Sequence, residues 1–97
     1  VQIRWMSPDA MKQLYSTKSD VWSYGCLLLE LVTGNVPWAM YSDLLEVVTR
    51  VRDKGEHPPI PENCDPLLAE IMLKCWNIDP NERPTFDDIV AILGEED

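Results

Sequence analysis

From Val21 to Val32 the chain is apolar on every face of a helical wheel, interrupted only by Ser23, Gly25 and Glu30. A helix without a polar face belongs inside a protein or inside a membrane. The run is shorter than the roughly 20 apolar residues that a bilayer requires, and Asp20 and Glu30 bracket it. It is also longer than the usual strand of about 5–6 residues, and its punctuation is helical. Ser19 is a favourable N-cap, Asp20 suits the positive first turn, and Gly34 can adopt the left-handed backbone that closes a helix. The expectation is a buried central helix against which the remaining elements are laid.

Those elements follow in order. Val1–Met6 reads as an extended segment. Ser7-Pro8 pairs a cap with a proline at the first helical position and predicts a short helix to about Leu14, with Tyr15–Lys18 as a polar connector. Asn35-Val36-Pro37-Trp38 reads as a turn. Ser42 is the expected cap of a helix whose Leu44, Val47, Val48 and Val51 recur at helical spacing, with Glu46 and Arg50 on its outer face and Gly55 at its end. The proline-rich stretch His57–Pro61 cannot be helical. Asp65-Pro66 repeats the cap-then-proline start, and Leu68, Ile71, Met72 and Cys75 give the helix that follows an apolar stripe ending near Lys74. Asp79–Pro84 is a loop. Thr85 and Asp88 form a capping-box pattern before a last helix with Phe86, Ile89, Val90 and Leu93 facing inward and Gly94 at its close. The sum is an all-α chain of five helices, with no strand and no repeat.

At 97 residues the chain is at most one domain with a small core. A formal charge of −9 disfavours nucleic acid and anionic membrane as partners, because both require a positive surface. The acidic residues are scattered apart from the Glu95-Glu96-Asp97 tail. Cys26, Cys64 and Cys75 lack metal spacing, and Cys26 and Cys75 fall in apolar helical patterns. Reduced buried thiols, no signal peptide and no transmembrane segment fit a reducing, cytoplasmic setting. The four glycines lie far apart, so no phosphate-cradling loop exists. His57, the only histidine, sits in a proline-rich stretch and reads as a solvent-exposed side chain. Read from its residues alone, the chain offers no catalytic group, no cofactor site and no metal site.

Five short motifs, in order and nearly spanning the chain, add to that reading. Trp5-Met6-Ser7-Pro8-Asp9, Lys18–Gly25, Thr33–Trp38, Cys75-Trp76 and Asp79–Thr85 together resemble the C-lobe of a eukaryotic protein kinase, from the peptide-binding loop to the last helix. The tyrosine-kinase-like and tyrosine kinase groups are the nearest in pattern. The resemblance implies a partial kinase domain over residues 1–97, without N-lobe or catalytic loop. It implies a parent that transfers the γ-phosphoryl of ATP, with Mg²⁺, to Ser/Thr or Tyr of proteins, and a segment that supplies docking and scaffold but is inactive alone. The alternative is a pseudokinase-type interaction module without catalysis, with the Ser42–Lys54 helix as a contact surface.

By the same resemblance Ser7-Pro8-Asp9 matches the family's Ala-Pro-Glu motif, with Asp for Glu as a departure. That carboxylate is expected to pair with Arg83, at longer range or through water because Asp9 is one methylene short. Asp20 matches the aspartate that accepts hydrogen bonds from the catalytic-loop backbone. Ile3, Trp5 and Met6 match the loop under the substrate residue after the phosphorylated one. Glu30 matches either a substrate-reading acid or a structural carboxylate. Trp22, Trp38, Trp76, Leu27, Leu28 and Leu31 are expected core. The Thr33-Gly34 form leans to Ser/Thr specificity, whereas Gln2 is neither the Thr common in Ser/Thr kinases nor the Pro of tyrosine kinases. Expected partners are a protein substrate or regulatory protein, and a second copy or covering segment for apolar surface that upstream helices would otherwise occupy.

Overall fold

In the computed structural model, which describes residues 2–94, five helices are joined by turns and irregular segments, and no strand is present among the described residues. They are α1 (Pro8–Met11), α2 (Thr17–Thr33), α3 (Leu44–Val48, running on into a wide π-helical turn, Thr49–Asp53), α4 (Pro66–Cys75) and α5 (Phe86–Gly94). Two 3₁₀ turns, Ile3–Trp5 and Pro80–Glu82, flank them. Val1 and the acidic tail Glu95–Asp97 lie outside the described residues.

Local chemistry explains the boundaries, and several depart from expectation. Residues 3–5 form a 3₁₀ turn rather than an extended segment, closed by the Met6 N–H on the Ile3 carbonyl. Ser7 caps α1 by accepting from the Ala10 N–H. The helix stops at Met11 rather than near Leu14 because Gln13 turns left-handed (φ 67°), letting Leu14 N–H reach the Asp9 carbonyl and Gln13 N–H the Ala10 carbonyl. The central helix is capped by Ser16, not Ser19. Ser19 is the third helical residue, and its hydroxyl accepts the Ser16 N–H in a reciprocal box. At the other end Gly34 is left-handed (φ 74°) as expected. Asp43 rather than Ser42 caps α3. Asp65 caps α4 through the Leu67 and Leu68 N–H groups, and Thr85 and Asp88 cap α5 reciprocally.

The core gathers one side of α2 (Val21, Trp22, Cys26, Leu29) against Ile71, Met72, Cys75 and Trp76 of α4 and its end, with Val47, Val51, Trp38 and Ile89 completing it. Trp76 donates its indole N–H to the Trp22 carbonyl at 3.3 Å, which uses its one polar atom. All three cysteines are free, Cys26 and Cys75 fully buried. Burial pushes the Cys26 thiol up to about 12 and the Cys75 thiol to about 11, so neither is a nucleophile near neutrality. No described helix is long and apolar enough to cross a membrane.

The central helix is covered on one side only. The molecule measures 41 × 29 × 20 Å, and its thin axis is about two helix diameters. In two layers every helix keeps an outward face. Leu27 (45% exposed) and Leu31 (73%) lie on that face of α2 instead of in the core, while Leu28 is partly buried. The same geometry leaves Phe86 and Val90 of α5 exposed, with Ile89 buried and Leu93 packed at the margin. In α3 and the π-helical turn after it Val47 and Val51 are buried, whereas Leu44, at the first helical position, is 45% exposed.

Gly25 is where α2 and α4 approach most closely. A Cβ there would stand 2.9 Å from both the Cys75 Cβ and the Trp76 indole nitrogen. Alanine gains about 1 kcal/mol in helix propensity, but overpacking against rigid neighbours costs roughly 1–3 kcal/mol. Gly25→Ala is therefore expected to be net destabilising, by up to about 2 kcal/mol, as a lowered urea midpoint. An unchanged or raised midpoint would show that Cys75 and Trp76 yield.

Candidate functional site

The most concentrated set of buried polar groups surrounds Arg83, which is 2% exposed. Leaving a guanidinium without partners in such a place would cost several kcal/mol, and here its donors are engaged. Nη2 donates to Asp9 Oδ1 at 2.7 Å and Nη1 approaches Oδ2 at 3.4 Å. Nη1 also donates to the Lys18 carbonyl at 2.9 Å, and Nε to the Asn77 carbonyl at 2.8 Å. The guanidinium lies over the Trp22 ring, 5.1 Å from its centre. Lys18 returns the contact, its ammonium donating to the Arg83 carbonyl at 2.8 Å. Ser19, accepting from Ser16 on one side, donates its hydroxyl to Asp9 Oδ2 at 2.6 Å. One cation thus joins α1, the start of α2, the end of α4 and the loop before α5.

The structure brings Asp9 and Arg83 into direct contact, so the shorter aspartate needs no water bridge: α1 sits close enough for the carboxylate to reach. Burial by itself raises the Asp9 carboxyl. The hydrogen bonds from Arg83 and Ser19 and the Arg83 charge outweigh it and hold Asp9 below the ordinary carboxylate value.

A second constellation lies on the neighbouring face. Ile3, Trp5 and Met6, all half-buried, sit on and beside the 3₁₀ turn. The Trp5 indole N–H donates to Glu30 Oε1 at 3.2 Å, and the Ser23 hydroxyl donates to the Trp5 carbonyl at 2.7 Å. Glu30, half-buried, is therefore joined to the turn that carries Trp5. Arg4 ties the same turn to the loop after α2, donating to the carbonyls of Pro37, Trp38 and Tyr41. Asp20 is apart from both groups: it is exposed and accepts a hydrogen bond from the Tyr15 hydroxyl. Trp22 and Trp76 are buried core. His57 is exposed as expected, but its ring stacks on Trp76 at 5.1 Å and 16°.

Arg4, Lys18, Ser19 and Asn77 are the participants that motif reading misses. Arg4 and Asn77 act through backbone carbonyls, which no residue identity announces. Ser19 carries a signal, since a serine three residues after Ser16 completes a capping box.

Among the described residues no group of three or more His, Cys, Asp or Glu is placed to hold a metal ion. Two clefts on the described surface hold about 200 and 150 Å³, below the ~300–1,000 Å³ usual for small-molecule sites. What the arrangement offers is a rigid, partly apolar surface held by two polar junctions.

Residues 1–93 match the family described as protein tyrosine and serine/threonine kinase. The serine/threonine/tyrosine-protein kinase HT1 of Arabidopsis thaliana is 39% identical over 95 residues, which is 97% of this chain and 24% of that protein. The inactive tyrosine-protein kinase 7 of Gallus gallus is 39% identical over 97 residues, 98% of this chain and 9% of that protein. The serine/threonine-protein kinase STY46 of Arabidopsis thaliana is 41% identical over 93 residues, 95% of this chain and 16% of that protein. The chain spans a quarter or less of the length of these relatives.

Replacing Arg83 tests the junction. Arg83→Met should destabilise by about 3–5 kcal/mol at pH 7, because Asp9 is left buried and unpaired. The pH dependence should also change sign. In the wild type the depressed carboxyl contributes stability that is fully present above the unfolded pKa and is lost as pH falls below about 4. In the variant, burial acts unopposed and raises the carboxyl, so acidification relieves the unpaired charge. The gap between the two proteins should narrow from pH 7 to about pH 4 in urea melts. A loss under about 1 kcal/mol that is independent of pH would contradict the buried pairing.

Proposed function

The chain belongs to the protein tyrosine and serine/threonine kinase family, and from that premise we propose that it is the substrate-docking and scaffolding part of a kinase C-lobe. In this proposal the longer protein transfers the γ-phosphoryl of ATP to a hydroxyl of Ser/Thr, or Tyr, in a protein substrate. The observation that carries the proposal is the Asp9–Arg83 junction, buried and 2.7 Å long. It locks the base of the segment bearing Ile3, Trp5 and Met6 to the loop before the last helix, and a surface that must present a peptide in one geometry needs such a rigid base.

Within this proposal Ile3, Trp5 and Met6 form the floor under the residue after the phosphoacceptor. Glu30 steadies Trp5 and presents its remaining carboxylate capacity to a basic substrate residue. Asp20, exposed at the start of α2, is available to the catalytic-loop backbone. ATP and Mg²⁺ bind outside this segment, which is inactive by itself. The reduced thiols and the −9 charge support a cytoplasmic setting, signalling through a protein substrate or regulatory protein, and no nucleic-acid or membrane partner. Hydroxyl choice stays with Ser/Thr or Tyr, as among the names of the relatives.

A second reading is a partner-binding module without catalysis. It is favoured by the 39% identity to a relative named as inactive and by Asp9 at the Glu position of the family motif. Labelled ATP, Mg²⁺ and a library of Ser, Thr and Tyr peptides separate the two when added to the intact gene product. Transfer of label is the expected result; no transfer would leave the module.

The isolated 97-residue chain should bind no nucleotide. It should also self-associate through the outward face of α2, where Leu27 and Leu31 lie open. A compact monomer at high concentration, or tight nucleotide binding, would contradict this assignment.

A further inference from the structure

Arg4 is half-buried, and its guanidinium gathers three backbone carbonyls from five consecutive residues. Nη1 donates to the Trp38 carbonyl at 2.7 Å and to that of Pro37 at 3.3 Å, and Nη2 to that of Tyr41 at 2.7 Å. The Trp38 carbonyl also accepts the Tyr41 N–H at 2.9 Å, so both of its lone pairs are used. The loop holding these groups is one the chain would not adopt unaided. Trp38 is left-handed (φ 60°), an unfavourable backbone for a bulky residue. Its indole is buried beside the Tyr41 ring. A planar fork donating charge-assisted bonds can hold such a cluster of carbonyls, and a compact ammonium matches it poorly.

Trp5, which follows Arg4 in the turn, is held from the other side. Ser23 donates to the Trp5 carbonyl and Trp5 donates to Glu30, both on α2. Ile3–Trp5 is therefore hydrogen-bonded to α2 on one side and, through Arg4, to the Pro37–Tyr41 loop on the other, and it also packs beside α3. Nη1 and Nη2 of Arg4 are both engaged by carbonyls of that loop.

We propose that Arg4 is a positioning residue that sets the Ile3–Trp5 turn in register with the Pro37–Tyr41 loop and thereby sharpens selection of the substrate residue after the phosphoacceptor. This rests on the docking role proposed above. The carbonyls belong to the backbone, so the clamp is indifferent to the side chains of the loop but depends on the fork of Arg4.

The test uses the intact gene product, an oriented peptide library with a central Ser, Thr or Tyr, and kinetics on the best peptide from it. For Arg4→Met, selectivity at the position after the phosphoacceptor should flatten. The peptide KM should rise about fivefold or more, while kcat and the KM for ATP stay within about twofold. Arg4→Lys should fall between wild type and Arg4→Met, and serves as the reporter if the methionine variant does not fold. Unchanged selectivity and peptide KM would overturn the proposal, as would an equal loss in every parameter. Amide exchange on the same proteins supplies a readout independent of catalysis: residues 2–6 and 38–41 should speed up together, with α4 unaffected. If the wild type transfers no phosphate the docking role fails separately, and unchanged exchange in those two segments would then overturn the clamp.

Discussion

A guanidinium removed from water is the constraint on which this architecture depends. Arg83 cannot be buried without a carboxylate and carbonyls to receive its N–H groups, and those acceptors come from three places in the chain, Asp9, Lys18 and Asn77, with the ring face of Trp22 packed against the guanidinium. Each must be in place for the others to be tolerated. Asp9 adds a second requirement, because its own burial is offset chiefly by Arg83 and the Ser19 hydroxyl. Ser19 in turn is fixed by the box that starts α2. Capping, ion pairing and aromatic packing here are parts of one network, which adds to the packing of α1 against the turn after α3 and of Met11 against the core.

The apolar packing supplies the other half of the account. The α2–α4 contact closes through Gly25, where Cys75 and Trp76 fill the space a side chain would take. That contact and the Arg83 junction lie on the same side of α2, as Trp22 belongs to both. The opposite side, with Leu27 and Leu31, carries apolar surface that two layers of helix cannot cover. A helix with no polar face ordinarily lies inside a protein, and here one of its faces stays open at Leu27 and Leu31.

Much of this can be read from residue types. Cap-then-proline starts at Ser7-Pro8 and Asp65-Pro66, the box at Thr85 and Asp88 and the stripe Ile71, Met72, Cys75 all rest on local chemistry and reappear in the structure. Departures arise where a longer-range term decides. The true start of α2 at Ser16 depends on a reciprocal pair, not on the better-placed single cap at Ser19. A left-handed Gln13 ends α1 where no glycine warns of it, and a π-helical turn follows α3 where the sequence reads as one continuous helix. Leu31 and Val90 are apolar and exposed, because the pattern records what a helix could bury and not what is present to bury it. For the polar junctions, Asp9 and Arg83 follow from the family motifs, whereas the carbonyl acceptors of Arg83 and Arg4 have no signature in side-chain identity.

The central claim is that Asp9 and Arg83, 74 positions apart, act as one buried unit organising the segments around them. A double-mutant cycle between Asp9→Ala and Arg83→Met, read by urea unfolding, measures that unit directly, since it removes whatever each substitution does elsewhere. The account predicts a coupling of about 2–3 kcal/mol, with the double variant far less unstable than the two single losses added together. A coupling under about 0.5 kcal/mol would mean that the two groups merely lie side by side, and would contradict the account.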